Sequence, residues 1–171
     1  ASSEQIEEAL AMIGQSSVDV IYLVDSYGSL YPETAGALAK KYLEIGEKYG
    51  KAIGFHAHNN QNLAFANTIE TLSYGVSYLD ATAAGMGRGA GNCAMELLLG
   101  FLKNPKYNLY SLLTFLENYM IPLKESGVKW GYEVQYMLTG QLNRHPREAM
   151  AFTAENRTDY CEFYKSLLDN F

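Results

Sequence analysis

The sequence predicts an α/β fold: parallel strands covered by helices over residues 1–105, followed by a helical C-terminal segment over residues 106–171. Three observations carry this. Short apolar runs rich in β-branched and aromatic residues alternate with segments of helical period. The alternation repeats three times at a spacing of about 28 residues, close to the length of a strand-helix unit. The strands read as near-continuous apolar runs, the pattern of parallel strands whose helices cover them. Two architectures satisfy these observations, a barrel and an open sheet.

The elements follow in order. "SSEQIEEALAMIG" sets Ser2 three residues before Gln5, a capping-box spacing, and puts Ile6, Leu10 and Ile13 on one helical face. "VDVIYLVDS" is a strand. "YPETAGALAKKYLEIGEKYG" restarts the helical period after Pro32 and ends on Gly50, a C-cap residue. "KAIGFHAHNN" with "NLAFANTIETLSYG" makes the second unit, and "VSYLDATAAG" with "NCAMELLLGFL" the third. Beyond Pro105 the chain becomes mostly helical and rich in tyrosine. It starts on a helix without a methionine and offers three strands where a closed (β/α)8 barrel takes about 250 residues, so it reads as the later part of a longer protein.

Composition narrows the function. With 48% hydrophobic and 19% charged residues the chain has a globular composition, long enough to bury one core. A formal net charge of -6 with scattered lysines and arginines argues against nucleic-acid binding, which needs a concentrated basic face. No apolar run reaches the roughly 18 residues of a membrane span, and the first ten residues lack the basic flank and apolar stretch of a signal peptide, so the cytoplasm is the default location. Cys93 and Cys161 lie far apart without metal-type spacing, which suggests reduced thiols.

The chain has three histidines, and two of them stand in "GFHAHNN". Residues two apart on a strand share a face, so His56 and His58 project together while Phe55 and Ala57 face the helices. Two imidazoles on one face can share a metal, and they fall at the C-terminal end of a strand, where α/β folds place their chemistry. An isolated H-x-H pair is explained as well by one core histidine beside a surface one. The glycine loop "AAGMGRGAGN" changes that balance, because it directly follows the next strand and delivers Asn92, an amide oxygen donor for a hard cation, at a helix start. "GMGRGA" also satisfies the dinucleotide fingerprint. The stretch some 20 residues later, "FLKNPKYNLYSLL", is neither strand-like nor acidic, so the context speaks against the nucleotide reading, which is set aside.

"HAHNNQNLAFANTIETLSYGVSYLDATAAGMGRGAGN" resembles the later strands of the metal-dependent barrel aldolases and lyases, a group with 4-hydroxy-2-oxovalerate aldolase, 3-hydroxy-3-methylglutaryl-CoA lyase and isopropylmalate synthase branches. The combined pattern H-x-H-N, A-N-[ST], A-G-[LM]-G and G-A-G-N carries the resemblance over roughly residues 15 to 100. "HAH", "AGMGRGAGN" and "VDS" are most similar to the 4-hydroxy-2-oxovalerate aldolase branch; the catalytic cysteine of the lyase branch has no counterpart between Gly85 and Gly91.

The resemblance implies a fold of the (β/α)8 TIM-barrel type, of which these are the later units. It implies that His56 and His58 bind a divalent metal, Mn²⁺ or Mg²⁺, with imidazole and oxygen donors suiting Mn²⁺ better. Asn92 matches an asparagine that binds the metal in the lyase branch. Ser26 falls where the family has a hydroxyl residue contacting the substrate carboxylate, against the plainer reading of a serine closing a strand, and Asp25 either orders the metal shell or caps a turn. Tyr136, in "GYEVQY", matches a pocket-lining tyrosine of the aldolase branch, against the plainer reading of a packing residue. The family's first-strand Arg-Asp pair, which completes the metal site and stabilises the enolate, is not in this sequence, nor is the family's acid/base histidine; the catalytic residues are therefore unknown.

The activity implied is cleavage of a short 2-oxo acid through a pyruvate enolate. The alternatives are a Claisen-type synthase joining an acyl-CoA to a 2-oxo acid, against which "DS" replaces the usual "DT", and a non-catalytic assembly module that keeps the scaffold. The partners implied are a small-molecule 2-oxo acid, an aldehyde dehydrogenase that consumes the released aldehyde, and a second copy of the chain in a homo-oligomer. Three further side chains read as structural: His145 before Pro146 as a surface residue, Cys93 at a helix N-terminus as a small buried one, and Trp130 as core or interface.

Overall fold

The computed structural model describes residues 2–169. Its first helix, α1 (Ser3–Gly14), opens on a capping box in which the Ser2 hydroxyl accepts from the Gln5 amide and the Gln5 side chain accepts from the Ser2 amide. Strand β1 (Val20–Asp25) follows, then α2 (Pro32–Tyr49), which stops at Gly50 in the left-handed conformation, φ 64°. Next come β2 (Ala52–Ala57) and α3 (Ala64–Ser73). Strand β3 is only two residues long, Tyr78–Leu79, because it pairs with β2 at Gly54 and Phe55 alone before the chain turns into the glycine loop. The last helix of the repeated units is α4 (Met95–Leu102).

The sheet is parallel in the order β1-β2-β3, so strands that follow one another in sequence lie side by side. One face carries Ile21, Leu23, Ile53, Phe55 and Ala57, all buried in the main core with Ala35 and Ala39 of α2 and Ala64 of α3. The other face carries Tyr22, Val24 and Tyr78, each at least 36% exposed. A doubly wound open sheet has helices on both faces. Sequential order with helices on one face alone is the arrangement of neighbouring units in a (β/α)8 barrel.

After α4 the chain is helical to the end of the described residues, in α5 (Leu109–Phe115), a π-helical turn (Leu116–Met120), α6 (Ile121–Glu125), α7 (Val134–Gln141), α8 (Arg147–Ala154) and α9 (Tyr160–Asp169). The wide turn lies beside Pro122, whose missing N–H and ring disturb the regular ladder. α8 and α9 share a second core of Phe152, Phe163 and Leu167. α7 sits on the loops above the sheet: a Cβ on Gly140 would lie 3.1 Å from the Gly28 carbonyl oxygen.

Candidate metal centre at the C-terminal end of the strands

The in-register pairing of β1 with β2 sets Tyr22 beside Gly54 and Val24 beside His56, all on the face away from the helices. Gly54 leaves room for the Tyr22 ring, which lies over it: a Cβ there would be 2.5 Å from Tyr22 Cε1. His58 follows two residues after His56, just beyond β2, and the two rings meet edge to face with centroids 5.0 Å apart. The sequence expectation that they project together agrees with this placement.

Their hydrogen bonds set their chemistry. His56 Nδ1 lies 3.1 Å from Asp80 Oδ2, and His58 Nδ1 lies 3.1 Å from the backbone carbonyl of Asp25. A carbonyl or an ionised carboxylate only accepts, so Nδ1 carries the proton and, in the neutral form of each ring, Nε2 keeps the lone pair. Burial lowers the His58 pKa most, its bond to the Asp25 carbonyl opposes that, and the proximity of His56 and Arg88 adds smaller effects in the lowering direction. His58 is therefore a neutral donor at neutral pH.

Asn92 is not at a helix start. It pairs with His58 in an antiparallel bridge, its amide donates to the Gly85 carbonyl at 3.0 Å, and α4 begins three residues later, after its N-cap Ala94. Pairing with the histidine segment keeps the backbone extended there and delays the helix. Cys93 is likewise before the helix, 1% exposed, with burial raising its thiol pKa. The Asn92 Nδ2 donates to the Met86 carbonyl at 3.0 Å, while Oδ1 is buried and has no hydrogen-bond partner. A buried amide oxygen without a donor is costly, which makes it a fit for a hard cation. Imidazole nitrogen and amide oxygen are both donor types that a divalent cation takes. Among the described residues no group of three or more His, Cys, Asp or Glu side chains is placed to hold a metal.

The glycine loop is shaped by contacts. Gly91 has φ +84°, and a Cβ there would collide with the Gly85 carbonyl oxygen. Ala84, a non-glycine residue at φ 53°, is held from both sides: its amide donates to Glu96 Oε2 at 3.0 Å and its carbonyl accepts from Trp130 Nε1 at 2.9 Å.

Asp25 is on the helix-covered face with Leu23, opposite the histidines, and 3% exposed. Its carboxylate accepts from the Ser29 and Leu30 amides at 3.0 and 3.1 Å, so of its two readings the turn cap describes its bonds. Burial raises its pKa, against those amides. Ser26, exposed at the end of β1 on the Val24 side of the alternation, has no hydrogen-bond partner for its hydroxyl among the described residues and lines a cleft of about 590 Å³. His145 lines the same cleft rather than standing free at the surface, edge to face with Tyr27 at 5.5 Å. Tyr136, 6% exposed, packs on Gly89 and Ala90 under the loop, and burial raises its pKa.

Sequence reasoning missed Asp80 and Arg88. Asp80 ends the third strand run, and its position at a strand's C-terminal end was the available signal. Arg88 was hidden inside the glycine motif.

The model of the HMGL-like family matches residues 1–117. The chain belongs to the HMGL-like family. It is similar to 4-hydroxy-2-oxovalerate aldolase from Thermus thermophilus, 40% identical over 68% of this chain and 34% of the relative, and to that from Brevibacillus brevis, 32% identical over 72% and 36%. It is also similar to oxaloacetate decarboxylase from Mycobacterium tuberculosis, 40% identical over 56% of this chain and 29% of the relative. The chain thus spans about a third of the length of these HMGL-like relatives.

Among solved structures it resembles the N-terminal domain of a candidate aldolase from Bacteroides vulgatus, at 36% identity and TM-score 0.64, over 80% of this chain and 45% of that one. It matches the fold of part of Rhizobium etli pyruvate carboxylase at TM-score 0.72 and 16% identity, over 95% of this chain and 17% of that one. Among the described residues no helix is long and apolar enough to cross a membrane.

Proposed function

We propose that this HMGL-like chain supplies the histidine part of a divalent-metal site for carbon-carbon cleavage of a short 2-oxo acid, the aldolase activity named for its relatives. The observation that carries the reading is the buried, unpartnered Oδ1 of Asn92, bridged by its backbone to His58, beside two imidazoles whose Nδ1 atoms are already engaged. His56, His58 and Asn92 are the residues that would hold the ion. A divalent ion there supplies Lewis acidity toward the oxygen atoms of a 2-oxo acid, favouring the pyruvate enolate formed as the bond breaks.

The chain's own residues do the rest of the positioning. Asp80 fixes the ring of His56, and the Asp25 carbonyl fixes the ring of His58. The unengaged hydroxyl of Ser26 is available to donate to the substrate carboxylate. Tyr136 supports the glycine loop from below, at Gly89 and Ala90.

The test is methyl proton exchange of pyruvate in D₂O with the Mn²⁺-loaded protein, followed by addition of aldehydes, or of acetyl-CoA with 2-oxo acids. Exchange with aldehyde turnover supports the aldolase reading, and loss of exchange in His58→Ala ties it to this site. Coenzyme A release instead would make the protein a Claisen-type synthase. Absence of both metal binding and exchange would leave a scaffold without chemistry.

A further inference from the structure

We propose that His145 is a second donor to the substrate carboxylate: together with the Ser26 hydroxyl, its Nε2–H grips the acid end of the 2-oxo acid in the cleft at the end of β1. The inference rests on the 2-oxo acid reading above and adds a substrate-binding residue to it.

The cleft adjoins the candidate metal centre. Val24, Ser26 and His145 all line it. Val24 is the register partner of His56, and the backbone carbonyl of Asp25, the residue between Val24 and Ser26, accepts from His58 Nδ1 at 3.1 Å. A molecule seated against Ser26 therefore lies beside the strand end that carries both metal-site histidines.

His145 reaches this cleft from the helical C-terminal segment. Asn143, at φ 50°, turns the chain just past α7, and its Oδ1 accepts from the Ser29 hydroxyl at 2.9 Å, which ties the turn to the loop after β1. Two residues on, the His145 ring meets Tyr27, the neighbour of Ser26, edge to face at 5.5 Å. Both contacts hold His145 against the loop that carries Ser26.

Its tautomer is the reverse of the other two. The Arg147 amide donates to His145 Nδ1 at 3.1 Å, so the neutral ring carries its proton on Nε2. His56 and His58 keep Nε2 as a lone pair for a metal; His145 keeps it as a donor. Among the described residues neither this N–H nor the Ser26 hydroxyl has a partner. The acceptors close by are committed: Asn143 Oδ1 to Ser29, and the Asp25 carboxylate to the Ser29 and Leu30 amides on the helix-covered side of β1. Two unengaged donors in one cleft match an acceptor with two oxygens, which a carboxylate is. Among the described residues no lysine or arginine lines the cleft, so these neutral donors set the orientation of the carboxylate rather than its charge balance.

The experiment is calorimetric titration of the Mn²⁺-loaded protein, in its full-length form, with pyruvate. Three variants separate the donor from the ring. His145→Gln places an amide N–H where Nε2 stands, His145→Asn is too short to do so, and His145→Ala removes both ring and donor. Pyruvate affinity is expected to fall about tenfold in His145→Asn and His145→Ala, the loss of one hydrogen bond to a charged group, and to stay near the wild-type value in His145→Gln. Mn²⁺ affinity should be the same in all four proteins. Equal weakening in the three variants would make the ring a packing partner of Tyr27 and overturn the inference, as would unchanged pyruvate affinity in His145→Asn and His145→Ala. A parallel fall in Mn²⁺ affinity would also overturn it, since His145 would then be a prop for the site. Failure of the wild-type protein to bind pyruvate or Mn²⁺ would instead overturn the 2-oxo acid reading itself, and this inference with it.

Discussion

Asp80 Oδ2 lies 3.1 Å from His56 Nδ1, and the same carboxylate acts on Tyr22, whose ring crosses β2 over Gly54. Burial first, and Asp80 second, raise the Tyr22 pKa, so the phenol stays protonated. Residues of β1 and β2 thus come together at Asp80, just beyond β3, and His56 is oriented by it. Partners of this kind typically contribute about 10–100-fold to metal affinity. Asp80→Asn keeps the size but exchanges the fixed acceptor for an amide, so Mn²⁺ affinity measured by calorimetry should fall by about that factor. An unchanged affinity would show that Asp80 does not orient the ligand ring.

Gly54 is required by the ring above it. A Cβ 2.5 Å from Tyr22 Cε1 forces Tyr22 off the sheet and away from Asp80. Gly54→Ala should therefore cost about 1–3 kcal/mol, the range for overpacking a filled site. Urea unfolding would measure it, and the cost should shrink in a Tyr22→Ala background where the ring is gone. A full cost without the ring would mean that another contact makes the site tight.

The strand-helix units could be read from the sequence because each depends on local pattern: Pro32 at a helix start, Gly50 at its end, the capping box of Ser2 and Gln5. The face shared by His56 and His58 follows from the period of a strand, so it was legible too. Asp80 was not, because its bond to His56 depends on the pairing of β2 with β3, which spans 24 residues. Asn92 was legible as a donor but misplaced on a helix, since an apolar run says nothing of the bridge to His58 that keeps the chain extended. The role of Asp25 turned on two backbone amides, Ser29 and Leu30, which a side-chain pattern cannot display.

The two thiols should behave differently. Cys93 is buried, and that burial raises its pKa, whereas Cys161 is exposed. A raised folded-state pKa means that the neutral thiol is favoured by folding; its contribution to stability is complete below the unfolded-state pKa and is lost as the pH rises through the folded value. Alkylation by iodoacetamide at pH 8 should therefore label Cys161 in the native protein and reach Cys93 only after unfolding, as mass spectrometry of the Cys161→Ser variant would show. Prompt labelling of Cys93 in that variant would mean that the segment beside Asn92 opens readily.

Trp130, like Tyr136, ties the helical C-terminal segment to the glycine loop. Its Nε1 donates to the Ala84 carbonyl at 2.9 Å, and Lys124 Nζ sits 4.5 Å above the ring. Ala84 is held at φ 53°, a conformation that costs a non-glycine residue about 1–3 kcal/mol and persists only where its surroundings enforce it. Trp130→Phe keeps an aromatic ring but deletes the donor, so stability should fall by about 1 kcal/mol, the net value of such a bond. Amide hydrogen exchange should accelerate from Gly85 to Gly91, and Mn²⁺ affinity should fall with it because Asn92 hangs from the same loop. Adding Ala84→Gly should restore part of the affinity, since glycine adopts positive φ without strain. If exchange across the loop is unchanged in Trp130→Phe, the indole bond has no grip on the loop, which Glu96, Tyr136 and the backbone bonds then hold.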